Sequence, residues 1–496
     1  MMTWLRNHRT EVLIVFGILL IAAFLRFYRL PEYMTFLGDE GRDALVIKKM
    51  LVEHDLPFIG PPASVGNIYL GPLYYYMMAV PMAIFWLNPV AAAGMVAFVG
   101  VATVFLTYYL ARQWFGFIPA VFSASLYAVS WVAIIYSRSS WNPNPVPFFA
   151  LLMVLGFYKS RQKRDYRWLV LSGGALAAAI QMHYLSLILV PVFAAFWLFE
   201  LKKKEGKNFL KGTIMAKIAF LLLMLPLVLF DLKHDFLNLN AFISLFNSGG
   251  GSISFNPLTG LTRILPVYIE NLTGRYLAGG VGLLACITAA VILIPSILGF
   301  YRARSGKEIS WPYFALGSWL GIGLLGISFY RGEVYDHYLG FLSPLPFLLF
   351  GSLAAIAKTK YQKAGVGLLA GILLVANFLQ SPLLTPPANQ LGRTQEIARS
   401  VIRQSDSKPF NFALISKSNY DSAYQFYLEQ YGAKPEVLPF VTTKQLFVVC
   451  EDSVCKPIGH PKHEIAAFGW AKIEHESEVL GVKVYKLVSN PSGKPL

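Results

Sequence analysis

Long apolar stretches recur through the first three quarters of this chain, parted by short connectors rich in lysine and arginine, and nothing else restricts its fold so severely. A segment crossing about 30 Å of hydrocarbon needs about 20 apolar residues in a helix, because only a helix satisfies its own backbone N–H and C=O groups where water is absent. Candidate spans lie at 11–28, 90–110, 118–136, 147–158, 168–182, 184–200, 213–231, 276–300, 312–329, 338–357 and 364–380. With 55% hydrophobic and 14% charged residues, the chain reads as an α-helical polytopic membrane protein. The net charge of +16 does not indicate nucleic acid as a partner, since the basic residues are dispersed among the connectors.

Those connectors orient the chain. Lys159, Arg161, Lys163, Arg164 and Arg167 form one basic block, and Lys202, Lys203, Lys204, Lys207 and Lys211 a second. Arg302, Arg304 and Lys307, then Lys358, Lys360 and Lys363, form two more. Basic connectors stay on the cytoplasmic side, so these blocks and the N-terminus are expected inside. The run at 11–28 lacks a small-residue cleavage site and reads as a retained signal anchor. If the further apolar run 70–87 also crossed, the two strongest basic blocks would face outward. Its Pro72, Pro81 and consecutive Tyr74, Tyr75 and Tyr76 suit an interfacial position, so it is expected to lie along or dip into the outer face. That leaves about eleven crossings in a cell-membrane protein whose C-terminus is extracytoplasmic. The external segments become 29–89, 137–147, the turn at His183, a long loop at 231–275, and 331–337.

The chain then divides into a membrane module, 1–382, and a polar region, 383–496, expected to fold as an extracytoplasmic α/β domain. Residues 410–416 and 445–450 read as buried strands, 421–431 as a helix ended by Gly432, and 481–488 as an alternating strand. Cys286 lies in an apolar span, while Cys450 and Cys455 are placed either to close a small disulfide loop or to remain free thiols.

The first external loop, 29–89, carries the acidic pair Asp39-Glu40 within Gly38-Asp39-Glu40-Gly41-Arg42-Asp43. From Asp39 on, Ala44, Ile47, Met50 and Leu51 share one helical face, with Lys48, Lys49 and Glu53 opposite, which predicts an amphipathic helix lying on the membrane. Asp39 would be its N-cap and Glu40 part of its first turn. Position allows a second role. A sugar carried on a polyprenyl phosphate has an acidic leaving group already, so one base for an acceptor hydroxyl suffices, given stabilisation of the departing phosphate.

The acidic pair after the first span, the run Gly71-Pro72-Leu73-Tyr74-Tyr75-Tyr76 and the loop Arg138…Trp141-Asn142-Pro143 together resemble the membrane glycosyltransferases of the GT-C fold. Among these, the protein O-mannosyltransferase and lipid A aminoarabinose transferase group is most similar, over roughly 10–380. The resemblance implies a polyprenyl-phosphate-linked donor, inversion at the anomeric carbon, and transfer of a hexosyl or pentosyl unit to a hydroxyl of a protein, lipid or cell-wall glycan. It implies Asp39 as acceptor base and Glu40 as its supporting partner. In two places the chain departs from the pattern. Tyr69-Leu70-Gly71 stands where relatives carry a lysine, and Trp141-Asn142-Pro143-Asn144 where an aspartate commonly follows the loop arginine. No cofactor is assigned, and a divalent metal on Asp39, Glu40, His183, Asp336 or His337 is left open, none having diagnostic spacing.

Phosphate charge must then be met from elsewhere. Arg42, Arg138, Asn142, His183, Tyr184, Arg331, His337 and Tyr338 are the candidates, with Tyr74 at the lipid and sugar entry. Each has a plainer reading: snorkelling for Arg138, an interfacial His-Tyr turn at 183–184, a solvated charged turn at 331–338, and an aromatic belt for Tyr74. A multi-span transporter and a non-catalytic assembly protein are the competing classes. The spans hold almost no ionisable residues and show no repeated halves, which disfavours the transporter.

Overall fold

The computed structural model describes residues 8–63, 68–201, 206–247, 257–304 and 310–490. Its membrane half opens with α1, Arg9–Phe27. A surface helix, α2, Gly38–Val52, follows, then the short α3, Leu73–Ile84, and the long α4, Pro89–Phe115. α4 starts where the Asn88 side chain accepts the Val90 N–H at 3.0 Å, with Pro89 in its first turn, and stops at Gly116, whose φ of 95° suits a residue without Cβ. Glu11 accepts the Tyr108 hydroxyl at 2.5 Å and Arg112 Nε at 2.7 Å, tying α1 to α4 at one end. At about 1.5 Å per residue, α3 is about 18 Å long.

The remaining helices are α5 (Phe117–Val129), α6 (Val146–Lys163), α7 (Leu169–Met182), α8 (Leu189–Leu201), α9 (Gly206–Lys233), α10 (Leu237–Asn247), α11 (Pro257–Pro266), α12 (Gly282–Ile292), α13 (Ile294–Arg304), α14 (Trp311–Ser328), α15 (Leu345–Ile356) and α16 (Lys360–Leu379). Among the described residues five helices are long and apolar enough to cross a membrane: Arg9–Phe27, Pro89–Phe115, Tyr184–Leu201, Asn208–Lys233 and Lys360–Leu379. Shorter apolar helices accompany them at Leu73–Ile84, Phe117–Val129, Gly282–Leu298 and Leu345–Ile356. The chain is a multi-pass, mainly helical membrane protein.

Several expected spans are interrupted. The stretch 118–136 breaks at Ser130, whose hydroxyl donates to the Tyr276 carbonyl at 2.6 Å. The stretch 276–300 starts with an irregular turn at Gly279 and Gly280, both at positive φ, before α12 and α13. The largest correction concerns 231–275, expected as a loop. It holds α10, α11 and a π-helical turn, Val267–Arg275, with Tyr268 donating to the Ala289 carbonyl at 2.7 Å. Charged residues at Asp231, Lys233, His234 and Asp235 masked its apolar stripe, and 248–256 lie outside the described residues. Part of the second basic block, at 202–205, and Lys307 lie outside them too.

The C-terminal part is a small α/β unit. It comprises α17 (Gln390–Gln404), β1 (Asn411–Ile415), α18 (Ser422–Gln430), β2 (Gln445–Cys450), α19 (His463–Phe468), β3 (Ala471–Val479) and β4 (Val482–Ser489). The sheet order is β1-β2-β4-β3, with β1 and β2 parallel and the other pairs antiparallel. β1 and β2 are buried throughout, as strands covered on both faces must be. β3 was not foreseen: its Glu474, Glu476 and Glu478 conceal an exposed edge strand, joined to β4 through Leu480 and Gly481. Cys450 and Cys455 form a disulfide.

This unit is seated on α2, and that corrects the picture of α2 as a helix simply lying on a membrane. Lys48 on its polar face pairs with Glu429 at 3.1 Å, and Phe36 packs against Phe426 and Tyr427. Gly41 permits the approach: a Cβ there would lie 2.2 Å from the Ala423 backbone nitrogen. The linker is bonded as well, with Asn389 N–H donating to the Glu32 carbonyl at 3.0 Å and Phe36 N–H to Gln390 Oε1 at 3.1 Å.

Candidate active site

The first turn of α2 separates the two acidic residues. The helix begins at Gly38, with Leu37 preceding it in extended conformation. Leu37 N–H donates to Glu40 Oε2 at 3.0 Å, so Glu40, not Asp39, is the capping carboxylate. Glu40 is 7% exposed, and burial pushes its carboxyl up to about 7. Asp39 stays partly exposed. Its Oδ1 accepts from Arg42 Nη1 at 2.7 Å and from the Tyr420 hydroxyl. Arg42 also grips Asp43 Oδ1 through Nε at 2.9 Å and Nη2 at 2.7 Å. Asp43 is buried, which raises its carboxyl to about 6.

Asp39 and Trp141 border two cavities. The first, about 50 Å³, is closed by Asp39, Arg42, Asn142, His183, Tyr184 and His337, among others. Three separate connectors converge there. Asn142 is oriented by donating to the Met182 carbonyl at 2.7 Å, which ties the 138–144 loop to the end of α7. His183 follows that helix end, and its Nδ1 accepts the Leu185 N–H at 3.3 Å. His337 packs against Trp141 with the rings tilted by 52° and their centroids 4.4 Å apart, and its ring centroid lies 5.8 Å from that of His183. Its connector is pinned by Asp336, which accepts from Arg275 Nε and Nη2 at 2.6 Å each. Burial holds His183 down at about 3 and His337 at about 4, so both rings are neutral hydrogen-bonding groups at pH 7.

The second cavity, about 220 Å³, lies on the other side of Asp39, between Glu40, Tyr136, Ser139 and the C-terminal residues Ser418, Asn419 and Tyr420.

Of the residues singled out in the sequence, the structure brings Asp39, Arg42, Asn142, His183, Tyr184 and His337 together. Others lie elsewhere. Arg138 is 2% exposed and donates to the Leu25 and Tyr28 carbonyls, each at 2.6 Å, with Tyr33 beneath its guanidinium. It clamps the C-terminal end of α1, where a phosphate contact was expected. Tyr74 is fully buried and bonded to Ser140 at 2.7 Å, off both cavity walls. Tyr338 is buried behind His183 and His337. Arg331 is exposed and borders neither cavity. Arg42 is held by two carboxylates, so its charge is largely met within the protein. Asp336 is likewise engaged by Arg275, and no group of three or more His, Cys, Asp or Glu able to hold a metal occurs among the described residues.

Sequence reasoning missed Asp43, Arg275 and Tyr420. Asp43 stood beside the pair and was readable as an i+4 neighbour of Asp39. Tyr420 is 381 positions from Asp39 and has no local signal.

Helices bundled beneath a surface helix with an acidic first turn, and connectors converging on it, define the class: this is the GT-C fold of membrane glycosyltransferases. Residues 70–230 match the family described as dolichyl-phosphate-mannose-protein mannosyltransferase. No curated protein matches by sequence. Among solved structures, ArnT from Cupriavidus metallidurans in the apo state superposes with a TM-score of 0.63 at 13% identity, covering 97% of this chain and 98% of that one. The same protein bound to undecaprenyl phosphate gives 0.60 at 13% identity, over 96% and 97%. The archaeal oligosaccharyltransferase AglB from Archaeoglobus fulgidus, in complex with an inhibitory peptide and a dolichol-phosphate, gives 0.51 at 16% identity, over 88% of this chain and 65% of that one.

Proposed function

We propose that this protein transfers a sugar from a polyprenyl-phosphate-linked donor to a hydroxyl acceptor at the extracytoplasmic face of the cell membrane. One observation carries the reading: a partly exposed carboxylate, Asp39, is fixed between two cavities, one of them lined by histidine, tyrosine and asparagine side chains together with Arg42. The similarity to proteins whose structures hold undecaprenyl phosphate and a dolichol-phosphate supports a lipid-linked donor.

Asp39 takes the acceptor hydroxyl proton as the acceptor oxygen attacks the anomeric carbon. The bond from that carbon to the phosphate oxygen breaks, its electron pair stays on the phosphate, and polyprenyl phosphate departs with inversion at carbon. Among the described residues both hydrogen bonds to Asp39 fall on Oδ1. Oδ2 is the oxygen assigned to the acceptor. Asn142, His183, Tyr184 and His337 hydrogen-bond the phosphate as charge develops, beside an Arg42 guanidinium whose charge is largely met by Asp39 and Asp43. Arg42 is a positioning residue that fixes Asp39 against Asp43. The test is Asp39→Asn in the reconstituted full-length protein with a polyprenyl-phosphate hexose: transfer should be lost while donor binding persists.

A further inference from the structure

The cavity of about 220 Å³ is shared between the membrane half and the C-terminal unit. Apart from Asp39 and Glu40, its polar lining is hydroxyl and amide: Thr35, Tyr136, Ser139, Ser418, Asn419 and Tyr420. No lysine or arginine borders it among the described residues. Its volume corresponds to about seven waters at about 30 Å³ each, room for one small ring. Three aromatic residues line it, Tyr136, Trp141 and Tyr420, the first two stacked at 23° with centroids 6.4 Å apart.

The C-terminal wall is rigidly placed. Asn419 donates to both Glu451 oxygens, at 3.2 and 3.0 Å, and its carbonyl oxygen accepts the Gly38 N–H at 2.8 Å. Glu451 also accepts from Tyr424 at 2.6 Å. This chain of bonds carries the position of the sheet to the first residue of α2, one residue before Asp39. Tyr420 completes it by donating to Asp39 Oδ1.

We propose that this cavity is the acceptor subsite, that Ser418, Asn419 and Tyr420 of the C-terminal unit build its outer wall, and that it takes an uncharged saccharide hydroxyl. The proposal rests on the transferase reading above. A phosphorylated acceptor would meet the carboxyl groups of Asp39 and Glu40 with no lysine or arginine on the cavity wall, the nearby Arg42 being already paired with Asp39 and Asp43, which costs both Coulombic repulsion and desolvation. A sugar ring matches the lining, its hydroxyls facing hydroxyl and amide groups and its C–H face lying on Trp141. Tyr420 is a positioning residue, since it orients the carboxylate that receives the proton.

The experiment uses the full-length protein in lipid nanodiscs with a radiolabelled polyprenyl-phosphate hexose. Three probes compete as acceptors: neutral oligosaccharides, the corresponding sugar phosphates, and a threonine-bearing peptide. Label should pass to the neutral saccharides. Ser418→Trp should raise the KM for saccharide at least about tenfold while the donor KM changes less than about twofold, the split expected when only one subsite is filled. Tyr420→Phe, which keeps the ring and the fold, should lower kcat about tenfold with little change in saccharide KM. Label passing to sugar phosphate or peptide in preference, or only to water, overturns the proposal. So does a Ser418→Trp protein whose donor and acceptor KM values move together. Absence of both transfer and donor hydrolysis by the native protein would instead defeat the transferase reading, and this proposal with it.

Discussion

Glu40 accepts the Leu37 N–H at 3.0 Å and thereby does the capping that spacing alone assigned to Asp39. The two acidic neighbours have divided the work. Glu40 is buried and holds the start of α2, while Asp39 faces the cavities. A Gln at position 40 keeps an acceptor oxygen, so Glu40→Gln should preserve the helix start, whereas Glu40→Ala should cost about 1 kcal/mol of stability, read by denaturant titration.

The burial of Glu40 also predicts a pH dependence. Its carboxyl is raised to about 7, so between the ordinary carboxylate value and pH 7 the folded protein binds more protons than the unfolded one. Its stabilising contribution is full below the ordinary value and is lost as pH rises through about 7. Asp43, raised to about 6, acts with the same sign. Thermal stability should therefore decline from pH 5 to 7.5, by at most about 3 kcal/mol from Glu40. Glu40→Gln should flatten that decline, leaving the part due to Asp43.

The close seat of the C-terminal unit on α2 depends on Gly41. A Cβ there would stand 2.2 Å from the Ala423 nitrogen, and the obstacle is backbone that cannot swing aside. Gly41→Ala should destabilise by about 1–3 kcal/mol through overpacking and expose the interface to limited proteolysis.

Arg275 and Asp336 form a two-point ion pair beneath His337. Arg275 is 43% exposed and Asp336 only 7%, so removing the arginine strands a buried carboxylate. Arg275→Ala should lose about 1–3 kcal/mol, and adding Asp336→Asn should recover part of the loss. Since the pair fixes the connector, the donor KM should rise in the single variant and fall back in the double.

His337 presents a neutral ring at pH 7. One hydrogen bond from a neutral group to a phosphate is worth about 1.5 kcal/mol, so His337→Ala should raise the donor Kd about tenfold, measured by titration of polyprenyl phosphate into nanodiscs. His183→Ala should behave alike.

Much of the fold was legible because a bilayer permits few architectures. Apolar length gave the helices, and the basic connectors gave an expected orientation under which 70–87 should not cross. The strands at 411–415, 445–450 and 482–489 were readable from their apolar runs. What escaped lacked a periodic signal. The helices of 237–275 sit among charges that read as a loop, and β3 is an edge strand of mostly exposed glutamates and lysine. At the site, sequence order predicted which connectors converge but not which side chains turn inward. Arg138 and Tyr74 were chosen by residue type, yet each is consumed by a nearby buried group: carbonyls of α1 and its end for the first, the Ser140 hydroxyl for the second. Tyr420 reaches Asp39 only because an entire unit folds back upon α2.

The central claim is that Asp39 is the base. Single-turnover transfer from a polyprenyl-phosphate hexose, set beside donor affinity for the native protein and Asp39→Asn, tests it most directly. A general base contributes about 10²–10⁴ in rate, so the rate should fall by that factor while the donor Kd stays within about threefold. Asp39→Asn turning over at the native rate would contradict the account.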